Sequence, residues 1–312
     1  MNILDIDGLS KSYKNRGFRR ATFDAVRKVD LSIRKNEIFG LVGESGCGKT
    51  TLARGILYLD PPTEGSVVFS GVELGSLGRR DLRGMRKRMQ IIFQDPTSAL
   101  NPKLRVRTSL GEGLRNQGLP SKEVALRVAE SADLVGIPPT HLDRYPHEFS
   151  GGQKQRLVIA RSLTMRPEFL ILDEPVSNLD VSIQAQIINL LLELREQLSL
   201  TYLFISHDLN LVAYLSDRIG VMRAGRIVEL GRTDDIIANP LHIYTRQLFS
   251  ASVGDLGGDA LSNSSGSPQS LFPGCGYDTS CTITEGECAT GDPPFLWISD
   301  ERGLSCFRAG DR

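Results

Sequence analysis

A glycine, four further residues and then Gly-Lys-Thr place an ammonium and a hydroxyl at the end of a turn that can hold phosphate. The segment "GESGCGKTT" runs from Gly43 through Glu44, Ser45, Gly46, Cys47, Gly48, Lys49 and Thr50 to Thr51. Its glycines admit the backbone conformations that turn successive amides toward phosphate oxygens. Lys49 would reach the β and γ phosphates as a point charge, and the Thr50 hydroxyl would ligate magnesium. A helix expected after the loop adds its N-terminal dipole to the same site. The spacing predicts nucleotide binding.

A second chemically able group closes the run "EFLILDEP" at 168–175, whose four apolar residues end in Asp173 and Glu174. Carboxylates at the C-terminal end of a buried strand face the ligand crevice of an α/β sheet. Asp173 can hold the magnesium shell, commonly through water, while Glu174 is placed to polarise an attacking water. Alone, such a pair suits a cap or a solvated turn; with a phosphate loop it makes a hydrolytic site. A third group is Cys275, Cys281, Cys288 and Cys306, separated by five, six and seventeen residues. Structural disulfides are disfavoured in a reducing compartment, and these spacers exceed the roughly two to four residues usual for zinc. The thiols are read as one site for a four-iron, four-sulfur cluster ahead of zinc, against the alternative of four unlinked, partly buried thiols. A tail with few apolar anchors would take its order from such a site.

The elements that must position these residues are legible as apolar patterns. "EIFGLVG" at 37–43 reads as a buried strand leading into the loop, and "LARGILYL" as the helix beyond it. "MQIIF" and "TYLFIS" read as further strands, and "SKEVALRVAESADLVG" as a helix. In "VSIQAQIINLLLELREQL" at 181–198, Ile183, Ile187, Leu190, Leu191, Leu194 and Leu198 recur at helical spacing and are expected in the core. At 312 residues the chain is long enough for about two domains. Its opening "MNILDIDGLS" does not read as a secretory signal, which predicts a cytoplasmic protein. No run approaches the ~18 apolar residues of a spanning helix. The 37 basic and 37 acidic residues cancel, which removes the global attraction a nucleic-acid binder uses, so no nucleic-acid partner is expected.

Four more strings complete a pattern. "SGGQ", comprising Ser150, Gly151, Gly152 and Gln153, resembles the signature motif of ATP-binding cassette (ABC) proteins. "FQDP", with Gln94, resembles their glutamine loop, "SNLD", ending in Asp180, their D-loop, and "ISHD", with His207, their switch histidine. With the phosphate loop and the acidic strand, these make six ordered motifs over most of residues 1–250. The chain therefore resembles an ABC ATPase. The resemblance implies an α/β P-loop NTPase cassette with a mixed sheet core, a helical subdomain at about 95–165 and bound ATP and magnesium. It further implies that two cassettes sandwich two nucleotides, with Ser150, Gly151 and Gly152 meeting the γ-phosphate held by the partner. A helix start at Ser150 gives that role a physical reason, since its amides form an anion site. Gln94 would reach magnesium and the attacking water, and His207 the γ-phosphate. Tyr13 in "LSKSY" resembles the aromatic residue that stacks on adenine, although an aromatic at a strand end also serves as packing.

"QDPTSALNP", "RYPHEFSGGQ", "DEPVSNLDVSIQAQ" and "NPLHIYTRQL" resemble the ATPase subunits of oligopeptide, dipeptide and nickel permeases. Asn178 stands where that group usually has alanine, and Ile243 where proline is common. The group implies a second ABC ATPase subunit, two transmembrane permease subunits and, indirectly, an extracytoplasmic solute-binding protein. Its location would be the cytoplasmic face of the inner membrane. One phosphate loop, one signature and about a hundred residues between Lys49 and Ser150 argue against ribosome-associated and chromosome-maintenance ATPases. The alternative function is a non-transport ABC ATPase or regulatory module whose tail senses iron or redox state. After the 1–250 ATPase domain, residues 251–270 read as a Gly/Ser-rich linker and 271–312 as a Cys-rich C-terminal extension.

Overall fold

Wholly apolar runs become strands buried on both faces. The computed structural model describes residues 1–14, 22–252, 275, 281 and 286–309. In chain order its first elements are β1 (Asn2–Lys14), β2 (Thr22–Arg34), β3 (Ile38–Val42), α1 (Lys49–Ile56), β4 (Glu64–Phe69) and β5 (Val72–Glu73). Next come α2 (Arg79–Arg88), β6 (Met89–Ile92), α3 (Pro96–Ala99), α4 (Val106–Leu110), α5 (Glu112–Arg115), α6 (Ser121–Leu134) and α7 (Gly151–Leu163). Then follow β7 (Phe169–Asp173), α8 (Val181–Leu198), β8 (Thr201–Ser206), α9 (Leu209–Leu215), β9 (Arg218–Arg223) and β10 (Arg226–Arg232). The described chain closes with α10 (Thr233–Ala238), α11 (Ile243–Ser252), α12 (Gly286–Thr290), β11 (Phe295–Trp297) and β12 (Gly303–Ser305).

The chain divides into two units: Met1–Asp5, Ser32–Glu37 and Val68–Ile205 form the first, and Ile6–Leu31, Ile38–Val67 and Ser206–Arg312 the second. In the first, β6, β7 and β8 pair in parallel, with Ile171 opposite Ile91 and Leu203. All five residues of β7 are buried, as a strand covered on both faces requires. Helices α3, α4 and α6 pack on α7, whose Leu157, Ile159 and Leu163 are buried with Val106, Leu110, Val128 and Ala132. Helix α8 buries Ile187, Leu190, Leu191 and Leu194 as its spacing predicts, together with Ile188. Two expected core positions differ: Leu198 is exposed in the last turn, and Ile183 is only half-buried. The helix stops there because Ser199 turns left-handed at φ 52°.

In the second unit the strand order is β11-β12-β10-β9-β3. The five residues of β3 are all buried, and it runs parallel to β9. Antiparallel β9 and β10 are joined through Ala224 (φ 45°) and Gly225 (φ 83°), the paired left-handed residues of a tight hairpin. Mixed parallel and antiparallel pairing with flanking helices makes this an α/β cassette. Among the described residues, no helix is long and apolar enough to cross a membrane.

The described part of the tail is ordered by means the sequence did not suggest. Strand β12 pairs antiparallel with β10, with Leu304 opposite Glu229, and β11 adds to β12. Leu304 and Ala309 are buried with Leu241, and Cys306 packs against them. Full burial of one leucine contributes about 1.5–3 kcal/mol, so an existing sheet edge and a shared apolar cluster can order the segment. The expected linker lies, from residue 253 onward, outside the described residues.

Candidate nucleotide site

In the second unit the chain leaves β3 at Val42 and turns through 43–48 into α1. Close packing dictates two of the glycines. A Cβ on Gly43 would stand 2.1 Å from the Met222 carbonyl oxygen, and one on Gly48, at φ 112°, would stand 2.3 Å from that of Ala25. The β9–β10 hairpin backs the loop, since the Gly225 N–H donates to the Cys47 carbonyl at 2.8 Å. Lys49 is only 6% exposed. Its Nζ donates to the carbonyl oxygens of Gly43 at 2.7 Å and Glu44 at 2.9 Å, and approaches Cys47 Sγ at 3.8 Å. A buried ammonium among neutral acceptors at a helix start is a positive centre suited to an anion, so the loop fits a nucleotide phosphate. Thr50 is exposed beside it, while Ser45 and Gly46 form the open side of the turn. Burial pushes the Cys47 thiol above its ordinary pKa, with Lys49 pulling the other way. That keeps it protonated, a packing residue rather than a nucleophile.

Tyr13, on β1, is 39% exposed and so offers ring surface. Its phenol donates to the Asp60 carboxylate, and the Lys11 ammonium lies 5.4 Å from the ring centroid. Burial and then the Asp60 hydrogen bond raise the phenol's pKa. His207 is exposed just before α9, whose cap Asp208 accepts from the Asn210 and Leu211 N–H groups at 3.0 and 3.2 Å.

In the first unit, β7 delivers Asp173 buried and Glu174 half-buried. Glu174 takes φ 51°, a left-handed conformation costing a non-glycine residue about 1–2 kcal/mol. It is held there by its N–H, which donates to the Ile205 carbonyl at 2.9 Å. Gln94 is exposed after β6. Asp95 then caps α3 by accepting from Thr97 and Ser98, with Pro96 at the first helical position. The Asn178 side-chain amide donates to the Gln94 carbonyl at 3.4 Å, so the residue that departs from the permease pattern ties the 177–180 turn to the glutamine loop.

The "SGGQ" string is a reciprocal helix cap. Ser150 Oγ accepts from the Gln153 N–H at 3.3 Å, and Gln153 Oε1 accepts from the Ser150 N–H at 3.1 Å. A Cβ on Gly152 would stand 2.5 Å from Ile183 Cγ2, so glycine lets the start of α7 lie against α8. A Cβ on Gly151 would stand 3.4 Å from Leu179 Cδ2, so the start of α7 lies beside the turn that ends at Asp180, the N-cap position of α8; Ser150, Gly151, Gln153 and Asp180 are exposed.

The Cys275 N–H donates to the Cys288 carbonyl at 2.8 Å, while Cys288 is buried and Cys306 packs in the Leu241 cluster. Among the described residues no three His, Cys, Asp or Glu side chains are placed to share a metal ion. The expected four-thiolate site draws no support from these placements. Two contributors were not singled out from sequence. Tyr244, known only as part of "NPLHIYTRQL", accepts from the Glu44 N–H at 3.1 Å, and Arg302 pairs with buried Glu229 at 2.8 Å.

Comparison with known proteins identifies the family. A family model described as ABC transporter matches residues 26–177, and one described as the C-terminal region of oligopeptide/dipeptide transporters matches 228–288. A Brucella ovis protein named for peptide import and ATP binding is 44% identical over 313 residues, covering 98% of either chain. The oligopeptide transport ATP-binding protein AppF of Bacillus subtilis is 41% identical over 317 residues, covering 97% of this chain and 96% of its own. Among solved structures, the ATP-binding cassette MJ0796, a dimer bound to ADP and Pi, superposes with TM-score 0.65 and 27% identity over 74% of this chain and 98% of that one. CbiO1 of Clostridium perfringens gives 0.67 and 29% over 76% and 91%.

Proposed function

The chain belongs to the ABC transporter family, in its oligopeptide and dipeptide group, and on that premise we propose how its residues use ATP to drive peptide import. It is the ATPase subunit of a peptide ABC importer; full-length relatives named for peptide import favour this over a non-transport ATPase with an iron- or redox-sensing tail. The observation that carries the reading is the buried Lys49 ammonium, set among carbonyl oxygens at the start of α1. Lys49 and the amides of 45–50 bind the β and γ phosphates. Thr50 would ligate magnesium and Asp173 and Gln94 would serve its shell, the ion when bound supplying positive charge against the phosphates. Glu174 orients the attacking water and takes its proton, and His207 contacts the γ-phosphate. Tyr13 stacks on adenine, its ring steadied by Asp60. The cap at Ser150, with Gly151, Gly152, Gln153 and Asp180, meets the nucleotide of a second cassette, so that hydrolysis requires a pair.

The ATPase domain spans 1–250, with 95–165 as its helical subdomain. Two membrane permease subunits carry the solute, an extracytoplasmic binding protein delivers it, and the chain works peripherally at the cytoplasmic face of the inner membrane. The second cassette is a paralogue or an identical copy. The four cysteines take no part in hydrolysis, and a cluster or zinc among them draws no support from the described geometry.

Lys49→Ala tests the reading at its base. Hydrogen bonds to charged groups contribute about 1.5–3 kcal/mol each, so ATP affinity should fall about 10- to 150-fold in titration calorimetry. Unchanged affinity would remove Lys49 from the site.

A further inference from the structure

Glu229 on β10 is wholly buried, at 0% exposed. Its oxygens accept from the Leu241 and His242 N–H groups, both at 2.9 Å, and from Arg302 Nη2 at 2.8 Å. Those amides fix the entry to α11. His242 Nδ1 accepts from the Tyr244 N–H at 3.1 Å, and the Arg223 guanidinium lies 5.4 Å from the Tyr244 ring centroid. Tyr244, itself buried, sends its phenol to the phosphate loop, where it accepts from the Glu44 N–H at 3.1 Å.

That N–H belongs to the same planar peptide unit as the Gly43 carbonyl, which accepts from Lys49 Nζ at 2.7 Å. In a trans peptide the two groups point in opposite directions. A phenol gripping one end therefore sets where the other end holds the ammonium. We propose that Tyr244 is a positioning residue for the phosphate loop, and that Arg302 of the C-terminal segment maintains it by neutralising Glu229 beneath the start of α11. The tail thereby acts on ATP binding without touching nucleotide. A buried carboxylate that loses its cationic hydrogen-bond donor must rearrange, and that disturbs the amides that orient α11.

The inference rests on the reading of 43–51 as the nucleotide site, and the test separates the two. Tyr244→Phe keeps the ring and its Arg223 contact and removes only the phenolic oxygen. In the full chain, titrated with ATP, affinity should weaken about 2- to 10-fold, the range of one neutral hydrogen bond, with the melting temperature nearly unchanged. Arg302→Met should weaken ATP binding as well, and the double variant Tyr244→Phe/Arg302→Met should bind no more weakly than the weaker single variant. Wild-type affinity in Tyr244→Phe while Lys49→Ala weakens binding overturns the positioning role. Additive losses in the double variant overturn the link from Arg302 to Tyr244. If Lys49→Ala has no effect, the reading of the loop itself fails.

Discussion

Glu174→Gln is expected to retain ATP and to lower turnover about a hundred- to ten-thousand-fold, the range of a general base. Glutamine keeps the size of the side chain, but its amide is too weak a base to take the proton. The backbone argues that little else changes. Glu174 is turned to φ 51° at the end of β7 and held by its N–H to the Ile205 carbonyl, a contact that does not involve the side chain. The Gln variant should therefore fold and melt like the parent. Phosphate release by the assembled pair, with hydrolysis at the partner's own site subtracted, gives the rate, and equilibrium titration gives the affinity. Near-normal turnover would take Glu174 out of the chemistry. A parallel loss of ATP binding would make it a ligand of the nucleotide instead.

Ser150→Arg should leave ATP binding to the isolated chain within about twofold while lowering hydrolysis by the pair a hundredfold or more, the cost of losing a preorganised donor at a site of developing charge. Ser150 is exposed and its partners are local: its Oγ serves the Gln153 N–H, and its own N–H serves Gln153 Oε1. Losing that cap costs about 1 kcal/mol of helix stability, which Ser150→Ala measures in the isolated chain. Arginine adds bulk and charge on the surface shared with Asp180. Loss of ATP binding in the unpaired chain would place Ser150 in its own cassette's pocket. Unchanged hydrolysis by the pair would show that this surface meets no nucleotide.

Local features were legible in the sequence because their causes are local. The phosphate loop follows from glycine spacing beside a wholly apolar strand, and β3, β7 and β8 occupy the runs "IFGLV", "FLILD" and "TYLFIS". The helix start at Ser150 was expected too, and there serine and glutamine three apart satisfy each other's amides. Long-range contacts were not legible. Arg302 finds Glu229 across 73 positions, and Tyr244 reaches Glu44 across 200; nothing in the local pattern of either residue names its partner. The tail shows the same limit. A segment with few apolar residues was expected to need a shared thiolate site, yet it borrows a core, with Leu304 and Ala309 packing on Leu241 and β12 lying along β10. Glu174's left-handed turn carries no sequence signal either, because it occurs at a residue that does not favour it.

The most direct test of the central claim is ATP-driven peptide uptake in cells that lack this chain and receive it back intact or as Glu174→Gln. Entry of a labelled tetrapeptide should be restored by the intact chain and not by Glu174→Gln made at the same level. Uptake that proceeds equally without the chain, or equally with Glu174→Gln, would contradict its role as the ATPase of a peptide importer.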